Sequence, residues 1–129
     1  LALLDLTVFN VAIGNCDAHA KNFSLLYDSS RPRLAPFYDL ICTAHYDHVS
    51  NVFAMRINGK RRFEDLRAED WAALADATGL SGSAIPRRTK QVLKRLQAAL
   101  PAWIESDSES DVACLVLSRT NHLLEQLSQ

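Results

Sequence analysis

Residues 1–13 carry three polar side chains, Asp5, Thr7 and Asn10, in an otherwise apolar run that stops at Gly14. Such a run predicts a helix covered around most of its circumference, set in a core and ended by the glycine. Two short β-prone runs at 22–27 and 33–38 flank Asp28-Ser29-Ser30-Arg31-Pro32 and predict a hairpin. Paired symmetrically about Ser30, the hairpin sets Phe23 against Phe37, Leu25 against Ala35 and Asn22 against Tyr38. Residues 40–51 have no period, carry His45, Tyr46, Asp47 and His48, and read as a loop. A weaker hairpin or extended signal at 52–57 and 61–63 brackets Asn58-Gly59-Lys60.

The pattern then turns helical. Trp71, Leu74 and Ala75 recur at helical spacing in a segment that begins at Asp65 or Arg67 and stops at Gly79. Ile85, Val92, Leu93, Leu96, Leu100 and Trp103 do so over 83–105, where Pro101 is expected to kink or divide the helix. Ser108-Glu109-Ser110-Asp111 resembles a capping box ahead of Val112, Leu115, Val116, Leu123 and Leu127. Trp71, Trp103 and the leucines of these helices read as core. The expected fold is α+β, mainly α, in one domain over 1–129. One helix, loops and hairpins fill 1–66, and a cap of three or four helices fills 67–129.

Composition changes this picture little. With 48% apolar and 22% charged residues and a net charge of −1, the chain reads as an ordinary globular domain without a global field for polyanions. Cys16, Cys42 and Cys114 are odd in number and lack CxxC spacing, which argues against a disulfide framework or a zinc site and fits the reducing cytoplasm. No apolar run has membrane-spanning length and no basic flank marks a signal peptide. The chain opens at leucine, directly in a core-like segment, and reads as cut from a longer protein.

Candidate chemistry concentrates in Gly14-Asn15-Cys16-Asp17-Ala18-His19-Ala20-Lys21-Asn22 and, further on, Tyr38-Asp39. The hairpin would place Asn22 and Asp39 side by side at its open end, and Asp17 enters the same space from the preceding loop. Gathered oxygen donors of this kind suit Mg²⁺, which takes one or two protein oxygens and completes its octahedron with waters and substrate phosphates. For phosphoryl transfer, Asp17 would orient the nucleophile and accept its proton while Asn22 and Asp39 ligate the metal. An amide ligand adds no charge to repel a triphosphate, and Lys21 and His19 would add positive or hydrogen-bonding density.

These two segments, with Phe23-Ser24 and Leu34-Ala35-Pro36-Phe37-Tyr38-Asp39-Leu40, closely resemble the catalytic loop and metal-binding segment of HipA-type serine/threonine kinases, the toxins of bacterial toxin–antitoxin modules. The D-x-H-x-K-N pattern followed by P-x-Y-D carries the likeness, which extends loosely to Ala54-Met55, Asn58-Gly59-Lys60 and Leu100-Pro101. It implies the C-terminal lobe of a protein-kinase-like fold, with Asp17 as catalytic aspartate. His19, Ala20, Lys21 and Asn22 would line the nucleotide phosphates, and Tyr38 and Asp39 would serve nucleotide and metal. Also implied are ATP and Mg²⁺, a protein seryl or threonyl acceptor such as that of an aminoacyl-tRNA synthetase, and a HipB-like DNA-binding antitoxin through which DNA is met indirectly. The glycine-rich phosphate cover and strand lysine of a complete kinase are missing, because the glycines stand at 14, 59, 79 and 82. An N-terminal lobe is therefore absent, and the fragment alone is expected to bind nucleotide weakly and transfer phosphate negligibly.

Rival readings attach to the same residues. Asp17 and Asp39 could be a turn acid and a strand-ending acid, and Lys21 and His19 solvated loop residues. Cys16 beside His19 matches no thiol-protease signature. His45, Asp47 and His48 could join Asp17 and Asp39 in a two-ion phosphohydrolase. Lys60-Arg61-Arg62 and Arg87-Arg88-Thr89-Lys90 with Lys94 and Arg95 are either a wet face or a surface for phosphates, as in a truncated module that binds antitoxin or operator without chemistry.

Overall fold

The computed structural model describes residues 1–27, 31–79, 84–106 and 111–128. The first helix, α1, spans Ala2–Ile13 and buries Leu4, Leu6, Val8 and the run from Asn10 to Ile13. Gly14 ends it in the left-handed region at φ 74°, with its N–H on Val11 O at 3.2 Å and the Asn15 N–H on Asn10 O at 2.9 Å. A side chain would not fit there: a Cβ on Gly14 would lie 2.7 Å from Ala44 Cβ and 3.3 Å from Arg119 Nε. The glycine thus lets the chain turn where the helix end meets two other segments.

The hairpin is shorter than its pattern and one residue out of the expected register. Strands β1 (Leu25–Tyr27) and β2 (Pro32–Leu34) pair Leu25 with Leu34, Leu26 with Arg33 and Tyr27 with Pro32. Leu25, Leu26 and Tyr27 are all exposed, so no buried face fixes which residues oppose one another. Asn22 falls in a 3₁₀ turn, Ala20–Asn22, and not opposite Tyr38 in a ladder. The tip at 28–30 lies outside the described residues.

Residues 40–51 are a loop interrupted by one 3₁₀ turn, Thr43–His45. Around Asn58-Gly59 the chain reverses with positive φ at both residues and a single bridge, Ile57 to Lys60, where a longer pairing was expected. The Phe53 N–H donates to Arg61 O at 2.7 Å and closes the base of that turn.

Helices α2 (Ala68–Thr78), α3 (Ala84–Ser106) and α4 (Asp111–Gln126) complete the fold. Buried Asp70 holds the start of α2: its carboxylate accepts from the Arg67 N–H at 2.8 Å and from Asn58 Nδ2 at 2.7 Å. Gly79 ends α2 at φ 65°. Pro101 does not divide α3, which runs on as one element while Leu100, buried beside it, packs on Ile13, Ala113 and Val116. That burial offsets the hydrogen bond a helix loses at proline. The capping box expected at 108–111 falls mostly outside the described residues.

The main core joins α1 to the helical cap through Leu4, Val8, Trp71, Ile85, Leu93 and Leu123, and Phe53, Ile57 and Leu66 bring the loops into it. Trp71 is 1% exposed, but Trp103, expected in the core, is 56% exposed. The inward stripe of α3 runs through Leu93, Leu100 and Ile104, and Trp103 sits on its flank. Asp5 on α1 and Arg88 on α3 add a fork-shaped ion pair, with Nε to Oδ1 at 2.7 Å and Nη2 to Oδ2 at 2.6 Å. Among the described residues no helix is long and apolar enough to cross a membrane.

Candidate active site

The loop leaving α1 is pinned by backbone and hydroxyl groups of the segment at 43–54. Thr43 Oγ1 donates to Gly14 O at 3.0 Å and accepts from the Cys16 N–H at 2.7 Å. The Ala44 N–H donates to Gly14 O at 3.0 Å and the Ala54 N–H to Cys16 O at 2.9 Å. Buried Asn15 then reaches three ways. Its Nδ2 donates to Asn10 Oδ1 and to Asp39 O, both at 2.9 Å, and its Oδ1 accepts from the Asp17 N–H at 3.2 Å.

Beyond Asn15 the expected site residues come in order. The Asp17 side chain is exposed, and its carbonyl accepts from the His19 N–H at 2.8 Å. His19 introduces the 3₁₀ turn and keeps a buried Nδ1 without a partner among the described residues. Ala20 and Lys21 are exposed on that turn, and Asn22 closes it in a buried position. From the other segment, the Tyr38 hydroxyl donates to Lys21 O at 2.7 Å and meets Ser24 Oγ at 2.8 Å. Asn22 Nδ2 donates to Asp39 Oδ2 at 2.5 Å.

Asn22 and Asp39 therefore meet directly, although the register expected to join them is not formed. Tyr38 ties its segment to the turn that carries Lys21, and Asp17 is connected to Asp39 through Asn15. His19 and Ala20 make no side-chain hydrogen bond to the pair.

The donor pattern decides which atoms face a ligand. Because the Asn22 amide nitrogen is committed to Asp39 Oδ2, the oxygens left to accept a cation are Asn22 Oδ1 and the second carboxylate oxygen of Asp39. Two hard oxygen donors, one neutral and one anionic, fit Mg²⁺ with waters and phosphate oxygens in the other positions. Asp39 adopts φ 56°, a conformation that aspartate tolerates better than most side chains.

The rival sites fare differently. His45, Tyr46 and His48 stack edge to face on one another, with centroids 5.1 and 6.0 Å apart. Among the described residues no group of three His, Cys, Asp or Glu side chains is placed to hold a metal. Burial pushes the Cys16 thiol above its ordinary pKa, with the Thr43 hydrogen bond only partly opposing it. That suits a packed side chain rather than a thiolate nucleophile.

Several residues at the site carried no motif. Asn10, an amide in an apolar helix, was the one visible signal, since a buried polar group requires a partner. Arg119 on α4 gave none. Its guanidinium lies over the Phe63 ring at 3.8 Å and donates through Nη2 to Val11 O at 3.0 Å, and burial lowers its pKa.

Known proteins resemble this chain in sequence and in fold. Residues 1–104 match the family model described as the HipA-like C-terminal domain. Y4mE of Sinorhizobium fredii, provisionally named a kinase, is 34% identical over 128 residues, which are 99% of this chain and 30% of that protein. The serine/threonine-protein kinase toxin HipA of Shewanella oneidensis is 29% identical over 98 residues, 76% of this chain and 23% of that protein. A solved complex of Shewanella oneidensis MR-1 HipA, HipB and operator DNA contains a chain that superposes with a TM-score of 0.76 at 27% identity. The superposition covers 97% of this chain and 30% of that one, so the chain spans under a third of the length of these relatives.

Proposed function

Because this chain belongs to the HipA-like C-terminal domain family, we propose that it is the C-terminal catalytic part of an ATP- and Mg²⁺-dependent serine/threonine protein kinase toxin, folded as the C-terminal lobe of a protein-kinase-like fold. The observation that carries this reading is the buried Asn22 amide closed on the Asp39 carboxylate at 2.5 Å, which brings the two expected metal-ligating side chains together. Asp17, exposed and held by its backbone, orients the acceptor hydroxyl and takes its proton. Asn22 Oδ1 and Asp39 hold the metal, which when bound neutralises phosphate charge. Lys21 and His19 line the phosphates, and Tyr38 fixes the turn that carries Lys21. The acceptor is a seryl or threonyl hydroxyl of a protein, an aminoacyl-tRNA synthetase being the candidate that family likeness suggests.

A HipB-like antitoxin is the proposed partner, supported by the complex in which the structural neighbour was solved. Arg87, Lys94 and Arg95, exposed on α3, offer charge for operator phosphates in such a complex. Residues 1–129 supply neither a glycine-rich phosphate cover nor a strand lysine, so alone they bind nucleotide weakly.

In the full-length protein Asp17→Asn is expected to abolish transfer of the ATP γ-phosphate to protein while leaving fold and antitoxin binding intact. Undiminished transfer would refute the role of Asp17. Absence of transfer from the wild-type full-length protein, with antitoxin binding retained, would favour the non-catalytic module.

A further inference from the structure

We propose that Asn15 is the positioning residue of the site, its one side-chain amide setting the backbone of Asp17 and of Asp39 against each other. The inference rests on the kinase reading but concerns a residue to which that reading gives no role. Asn15 is 4% exposed, and both its amide hydrogens and its carbonyl oxygen are in use. One hydrogen goes to Asn10 Oδ1, inside α1, which orients the amide and fixes which end faces where. The other goes to Asp39 O at 2.9 Å, and Oδ1 accepts from the Asp17 N–H at 3.2 Å.

The two acids lie on separate segments, and a single planar group spans them. Planarity makes the link stiff: Oδ1 and Nδ2 hold a fixed separation, so the peptides of Asp17 and Asp39 cannot drift independently. Asp39 has particular need of this, because its φ of 56° is a sparsely populated conformation that persists only where neighbours hold it. Capture of the Asp39 carbonyl by Asn15 and of its carboxylate by Asn22 fixes the residue at both ends.

Removing the amide leaves the side chains of Asp17, Asn22 and Asp39 in place while freeing the backbones that aim them. Loss of an outer partner of a metal ligand commonly weakens metal affinity by about 10–100-fold.

The test is Mn²⁺ binding, read by electron paramagnetic resonance in the full-length protein with a non-hydrolysable ATP analogue. Asn15→Ala is expected to weaken Mn²⁺ binding at least about 10-fold. Val116→Ala, a buried position on α4 with no hydrogen bond from its side chain to either acid, serves as the stability control and should leave binding within about twofold of wild type. Should Asn15→Ala not fold, Asn10→Ala carries the test. It removes the group that orients Asn15 without touching either acid, and a weakening beyond the control's is expected. Binding unchanged in the Asn15 or Asn10 variant but lost in Asp39→Asn would overturn the positioning role alone. Binding unchanged in all three would overturn the metal-site reading and this inference with it. A loss in Val116→Ala as large as in Asn15→Ala would reduce Asn15 to a stability residue and overturn the proposal.

Discussion

Replacing Gly14 by alanine tests the junction on which the site is built. Two costs add there. An L-residue at φ 74° is disfavoured by about 1–2 kcal/mol. The new Cβ would also lie 2.7 Å from Ala44 Cβ, closer than packed carbons come, and overpacking of this kind costs about 1–3 kcal/mol. The sum, about 2–5 kcal/mol, is a large share of the roughly 5–15 kcal/mol that holds a domain together. For a domain of this size it lowers Tm by roughly 6–20 °C. Gly79→Ala supplies the comparison: φ there is 65°, but among the described residues nothing lies within 4 Å of the added carbon, so only the backbone cost of about 1–2 kcal/mol applies. Urea unfolding of both variants measures the difference, which belongs to the contact with Ala44 and Arg119. Equal losses in the two would refute the close approach, and a Gly14 loss under about 0.5 kcal/mol would refute the left-handed cost as well.

Three further outcomes are expected. Asp39→Asn preserves side-chain size and an acceptor for the Asn22 amide but removes the charge, so Mg²⁺-dependent nucleotide binding should fall at least about 10-fold with little change in stability; calorimetric titration with and without Mg²⁺ checks it. Cys16 and Cys42 are both raised by burial, so their folded pKa values exceed the unfolded ones; stability should hold below about pH 8.5 and decline as pH rises beyond it, with Cys16→Ala flattening the slope in alkaline urea titrations, and exposed Cys114 should react first with a thiol reagent. Arg119→Ala loses the stack on Phe63 and the bond to Val11 O and should cost about 2–4 kcal/mol by urea unfolding, with Arg119→Lys recovering little because an ammonium cannot stack as a plane.

The helices were readable because their signals are local. Thirteen residues with three polar interruptions and a terminal glycine specify α1, and Trp71, Ala75 and Gly79 specify α2, with little help from the rest of the chain. The failures lie where tertiary packing decides. Pro101 was expected to kink or divide α3, and the helix runs undivided past it beside the buried Leu100. Trp103 has the spacing of a core residue but lies on the flank of the inward stripe, and spacing alone does not locate the edge of a partner surface. The β1–β2 register was misjudged for a related reason: matching apolar residues across a hairpin identifies the register only if one face is buried, and here β1 is exposed throughout and no residue of β2 is fully buried.

At the site, residue types were legible and their connections were not. The Asn22–Asp39 contact was anticipated from a register that does not form; it arises because a 3₁₀ turn presents Asn22 and a left-handed backbone turns Asp39 toward it. An unusual φ at an aspartate cannot be read from composition, since it depends on what holds both ends of the residue. Asn15 does part of that holding, and it stands two positions before Asp17 in the motif, conspicuous as a letter but silent about its partners at Asn10 and Asp39. The hidden half of such a site consists of the groups that fix its backbone, because their partners are carbonyls and N–H groups that every residue possesses. Gly14, Asn15 and Thr43 belong to that half here: each contacts backbone rather than ligand, and together they set where Asp17 leaves the loop.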